Sequence, residues 1–212
     1  MVLETKRDDS RNVTTRAHTD YAQRPLLIRM LIWLIEVTRI TPNALTVGGF
    51  IGVLIASALV VAEWWWAAGF AFIGSALVDS LDGTLARYQG TSSRFGAFLD
   101  STLDRAADGL ILGAFAVVFA QRDEPVMVGV VVVAMIATFL ISYTRARAEG
   151  LDIQGADTGL MERPERLVLL GPAIFMGGLE TVPETVIVVL AALSIMTVVD
   201  RVAVVRRALS DQ

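Results

Sequence analysis

The sequence contains no cysteine and a single histidine, His18. The first absence excludes disulfides, thiol nucleophiles and cysteine-ligated zinc. The second leaves no histidine cluster for a transition metal. Strong charge of either sign is also missing: 18 Lys and Arg stand against 22 Asp and Glu, a formal net charge of −4. No basic stripe interleaved with aromatic residues occurs, so nucleic-acid binding finds no support. Roughly 25 mostly polar residues precede the first apolar ones, so no cleavable signal peptide is expected.

Apolar side chains, by contrast, are abundant. The chain of 212 residues is 54% hydrophobic with a mean hydropathy of +0.59, and the apolar residues cluster. Stretches free of Asp, Glu, Lys and Arg run 40–62, 64–78, 109–121, 125–144, 167–179 and 185–199. Only 40–62 and 125–144 reach the roughly 20 residues of an ideal transmembrane helix. The others gain length by taking in charges at their ends or on an inward face, where an ionisable side chain points to function. A soluble helical protein would have to bury 40–62 and 125–144 nearly all round.

The expectation is an all-α integral membrane protein with six transmembrane helices, near 43–62, 65–88, 94–121, 126–146, 164–179 and 184–205. An interfacial amphipathic helix precedes them at 24–40, where Arg24, Arg29, Glu36 and Arg39 oppose Leu, Ile, Met and Trp33. The expected division is a polar tail over 1–23, the interfacial helix over 24–40, and a six-helix membrane domain over 41–207. Of the basic residues only Arg122 falls in an outer loop under this arrangement. The positive-inside rule then puts both termini, and the polar loop after 146, in the cytoplasm of a multi-pass cell-membrane protein.

The chemistry concentrates between Asp79 and Asp104. Asp79 and Asp82 are spaced i,i+3, and Asp100 and Asp104 i,i+4, so each pair shares a helix face. A turn at 89–93 separates them, so the two pairs come to one membrane depth. Carboxylates there are costly unless they hold something, and hard divalent cations take carboxylate oxygens. Gly83, Ala86 and Gly96 leave room beside such ions, and Arg87 offers a donor fork suited to phosphate. Ordinary interfacial salt bridges and helix-packing glycines are the competing readings of these residues taken singly. A cation path would spread carboxylates through the bilayer thickness rather than cluster them beside an arginine.

The string Asp-x2-Asp-Gly-x2-Ala-Arg-x8-Gly-x3-Asp-x3-Asp, from Asp79 to Asp104, fixes eight residues over 26 positions. It resembles the signature of the CDP-alcohol phosphotransferase family at every fixed position. The resemblance runs from about Pro42 to the last helix. It implies transfer of a phosphatidyl-type group from a CDP-linked lipid to an alcohol with release of CMP. It implies Asp79, Asp82 and Asp100 as ligands of one or two Mg2+ ions, or Mn2+. Asp104 is implied as general base for the acceptor hydroxyl, and as a contact of a second ion where two bind. Asn43, Asp82, Gly83, Ala86, Arg87 and Gly96 would shape the nucleotide and diphosphate pocket. Asn43 belongs to a Pro-Asn-x-apolar-Thr opening like that of the family's first span, although a capping role suits it as well. A homodimer is implied by the same resemblance.

Two shorter stretches, 142–150 and 162–166, resemble the inositol-phosphate-using branch, which makes phosphatidylinositol phosphate or its archaeal counterpart. They place Arg145, Arg147, Arg163 and Arg166 where an acceptor phosphate would bind. Stop-transfer anchoring is the alternative role for these arginines. Other acceptors in the same reaction class are glycerol 3-phosphate, serine and a second inositol phosphate. Serine would leave the arginines without a phosphate to bind.

Overall fold

The computed structural model describes residues 41–153, 155, 159–179 and 181–210. The tail at 1–23 and the amphipathic helix expected at 24–40 lie outside the described residues. Within them the chain forms six helices: α1 (Pro42–Val61), α2 (Trp65–Gln89), α3 (Arg94–Gln121), α4 (Pro125–Glu149), α5 (Arg163–Phe175) and α6 (Thr181–Ser210).

Local chemistry sets the helix ends that matter for the site. Pro42 opens α1, and Thr41 Oγ1 accepts the Ala44 N–H at 3.3 Å, so a proline start is joined to a threonine cap. Gly90 stops α2 with φ 65°, a conformation that costs a residue with a Cβ. The Thr91 N–H then reaches back to the Ala86 carbonyl at 3.0 Å. Three residues on, Ser93 Oγ accepts the Gly96 N–H at 2.9 Å and caps α3.

The expectation of six membrane-crossing helices is corrected. Three described helices are long and apolar enough to cross a membrane: α1, α4 and α6. The other three fail for physical reasons. Asp79, Asp82 and Arg87 interrupt α2, and Arg94, Asp100, Asp104, Arg105 and Asp108 interrupt α3. The 13 residues of α5 span only about 20 Å, against the roughly 30 Å of a hydrocarbon core. Large apolar side chains lie exposed on the three qualifying helices, among them Leu54, Ile136 and Val199. Such surfaces belong in lipid, and the protein is a multi-pass membrane protein.

The described residues fall into two compact units. One holds 41–51 and 75–103; the other holds 52–74 and the chain from 104 onward. In the first, α1 and α2 approach closely at Gly49, where a Cβ would lie 3.4 Å from the Asp79 Cβ and from the Ser75 carbonyl oxygen. The second contains the main apolar core, built around Phe115, Phe119, Leu112, Leu170, Ile187 and Leu190, all within 1% of full burial. There α4 packs along α6, and α5 also packs on α6.

Candidate active site

In the first unit, the α2–α3 hairpin converts sequence spacing into convergence. Asp79 and Asp82 come from one turn of α2, and Asp100 from the second turn of α3. Each offers a carboxylate oxygen, and the three oxygens lie within 4.8 Å of one another. This is a hard, all-oxygen donor set, of the kind that suits Mg2+ or Mn2+.

The environment of Asp82 is the best defined. Only 8% of it is exposed. Its Oδ2 accepts the Thr46 hydroxyl at 2.5 Å, and its Oδ1 accepts the backbone N–H of Gly83. Both donors are neutral, so they orient the carboxylate without cancelling its charge.

Beside the acids opens a cavity of about 680 Å³. Asn43, Asp82, Gly83, Ala86, Arg87 and Gly96, the residues expected to contact nucleotide and diphosphate, all line it, together with Thr46 and Asp100. Small residues create this space. A Cβ on Gly96 would sit 3.1 Å from Asn43 Oδ1, and one on Gly83 would sit 3.6 Å from Arg87 Nη1. Among the described residues Asp79 is not part of this lining.

The second unit holds a smaller, polar cavity of about 170 Å³, lined by Asp104, Asp108, Glu162 and five arginines: Arg105, Arg145, Arg163, Arg166 and Arg201. Three of the four arginines expected to meet an acceptor phosphate therefore gather here, and Arg147, exposed on α4, does not. Asp104 pairs with Arg163 at 2.8 Å. Arg166 is buried against Asp108 at 2.7 Å, and its Nη1 donates to the Met161 carbonyl at 3.2 Å. Arg201, 2% exposed, donates to the Ile141 carbonyl at 2.6 Å and to Glu162 at 3.3 Å. Arg145 makes an exposed i,i+4 pair with Glu149. Five guanidinium groups line the cavity with three carboxylates, and with Glu149, the partner of Arg145, counted as well, one positive charge remains in surplus.

Sequence reasoning missed Arg105, Asp108, Glu162 and Arg201. The signal for Arg201 was present: it lies near the end of a long apolar segment, and it is the most buried arginine of the cavity.

The family described as CDP-alcohol phosphatidyltransferase matches residues 39–206, and the chain belongs to it. It is a CDP-alcohol phosphotransferase closely related to phosphatidylinositol and archaetidylinositol phosphate synthases. A phosphatidylinositol phosphate synthase of Streptomyces avermitilis is 38% identical over 79% of this chain and 73% of its own length. An archaetidylinositol phosphate synthase of Pyrococcus horikoshii is 37% identical over 77% of this chain and 82% of its own. The crystal structure of Mycobacterium tuberculosis phosphatidylinositol phosphate synthase with CDP-DAG bound matches with a TM-score of 0.76 and 29% identity, over 85% of this chain and 94% of that one. The same enzyme in complex with manganese and citrate also gives a TM-score of 0.76, at 30% identity over 84% and 88%.

Proposed function

We propose that this enzyme transfers the phosphatidyl-type group of a CDP-linked lipid to a hydroxyl of inositol phosphate and releases CMP. The observation that carries a phosphorylated acceptor is the arginine-rich lining of the 170 Å³ cavity, which glycerol 3-phosphate would satisfy as well as inositol phosphate. An uncharged acceptor would make no use of the positive potential that these guanidinium groups create. Relatives that make phosphatidylinositol phosphate or archaetidylinositol phosphate support the same reading.

In this reading Asp79, Asp82 and Asp100 hold the divalent cation. Mg2+ or Mn2+ bound there would neutralise diphosphate oxygens and charge developing at phosphorus. A related structure with manganese supports that assignment. Asn43, Gly83, Ala86, Arg87 and Gly96 shape the space for the CDP moiety, with Arg87 directed at the diphosphate. Arg145, Arg163 and Arg201 hold the acceptor phosphate. Arg166, through its contacts with Asp108 and the Met161 carbonyl, ties the start of α5 to α3 and so fixes the position of Arg163.

Asp104 takes the proton of the attacking hydroxyl, and its contact with Arg163 orients the carboxylate. One acceptor O–P bond forms as the P–O bond to CMP breaks, and the proton ends on Asp104. The arginine-rich side faces the cytoplasm, and the enzyme works as a homodimer. Family resemblance supports the dimer, and its mass in nanodiscs tests it.

The test is CMP release by purified protein with Mg2+ and a CDP-linked lipid, offered L-myo-inositol 1-phosphate, free inositol, glycerol 3-phosphate or serine. Release confined to inositol phosphate is the expected result. Release with glycerol 3-phosphate alone would keep the acidic site and overturn the acceptor. Release with serine or free inositol would overturn the role given to the arginines.

A further inference from the structure

We propose that Thr46 is a positioning residue that fixes the Asp82 carboxylate in the orientation in which it ligates the divalent cation. The inference rests on the metal-site reading above and adds a residue to it.

A threonine hydroxyl has one proton to give. Thr46 Oγ1 lies 2.5 Å from Asp82 Oδ2 and 3.2 Å from the Pro42 carbonyl oxygen. The shorter, charge-assisted contact takes the proton, so the hydroxyl donates to Asp82. The other carboxylate oxygen receives the Gly83 N–H. Asp82 is thus held at both oxygens. Thr46 is only 4% exposed and Asp82 8%, so the protein's own donors, more than solvent, set the orientation of this carboxylate at the wall of the cavity.

The helix register brings the two side chains face to face. Thr46 meets Asp82, and one turn along α1 Gly49 meets Asp79. As one number rises by three the other falls by three, so this face of α1 runs antiparallel to α2. It presents a hydroxyl to one acid and bare backbone to the other. Gly49 lets the helices close to the distance at which a side chain as short as threonine reaches a carboxylate. Hydrogen-bond partners of ligating carboxylates set ligand orientation and therefore metal affinity.

The experiment is a Mn2+ titration followed by electron paramagnetic resonance, on the full chain in nanodiscs without nucleotide lipid. Thr46→Val keeps the shape and removes the donor; it should weaken Mn2+ binding about 10- to 100-fold. Thr46→Ser keeps the donor and should stay within about threefold of the native protein. In assays at saturating Mn2+, Thr46→Val should regain most of its kcat with the KM for the CDP-lipid little changed.

Native Mn2+ affinity in Thr46→Val, or a raised donor KM without a metal effect, overturns the proposal. So does equal loss in the valine and serine variants, which would mark a packing role. Thr46→Ala, which removes the hydroxyl without a new methyl, carries the same test if the valine variant does not fold. Asp79→Asn separates the two levels. If it binds Mn2+ like the native protein, the metal-site reading fails. If it loses Mn2+ while Thr46→Val keeps it, only the role of Thr46 fails.

Discussion

Asp82 and Asp108 are both buried aspartates, yet they are partnered in opposite ways. Asp82 is held by a hydroxyl and a peptide N–H, and its negative charge stays available. Asp108 is held by Arg166, and its charge is cancelled where it sits. The same division separates the two cavities. In the acidic one, carboxylates converge on one another; in the other, Asp104, Asp108 and Glu162 each meet a guanidinium. The kind of donor, more than the presence of an acid, decides whether a buried carboxylate keeps its charge for a cation, as at Asp82, or has it balanced by the protein, as at Asp108.

The contrast breaks most sharply if the two aspartates are exchanged for neutral residues. Asp82→Asn should lower transfer on the order of 10³-fold in a protein that still folds, because several kcal/mol of charge stabilisation is lost and each 1.36 kcal/mol is tenfold in rate. EDTA should do the same to the native enzyme, and Mg2+ should reverse it. A fully active Asp82→Asn enzyme would remove the distinction.

Asp108→Ala should act on stability first. It leaves Arg166 buried without its counter-charge, a loss of about 3–5 kcal/mol, seen as a lower unfolding midpoint in detergent. Asp108→Leu combined with Arg166→Met should recover most of that loss if the pair is structural.

The smallest effects sharpen the arginine cavity. Arg201→Met should raise the KM for a phosphorylated acceptor by roughly one to two orders of magnitude, since hydrogen bonds to a charged group contribute about 1.5–3 kcal/mol. The KM for the CDP-lipid should hardly change. Arg147→Ala, at an exposed position outside the cavity, should change either KM by less than about twofold. The reverse ranking would return the acceptor role to Arg147.

The helices from 42 onward and the meeting of Asp79, Asp82 and Asp100 were legible because both follow from local rules. Apolar run length marks the helices, and i,i+3 spacing with an intervening turn brings the acids together. Spacing also tied Asp104 to Asp100, but its described partner is Arg163, 59 positions later in the sequence. Arg147 and Arg145 looked equivalent, although two residues apart on a helix they face different ways. Arg201 escaped notice because periodicity says which residues share a face and not which helix that face will meet. Helix count and helix chemistry also diverged: α2, α3 and α5 were found as helices, but their charges or length remove them from the set able to cross a membrane.

The Asp108–Arg166 pair also has a meaning in time. Its two members are 58 residues apart in the chain. At the roughly 5–20 residues per second of protein synthesis, the carboxylate leaves the ribosome's decoding centre about 3–12 s before its counter-charge exists. Throughout that interval the nascent α3 carries an acid without the partner that balances it in the folded protein, so this part of the protein can reach its final packing only after α5 has been made.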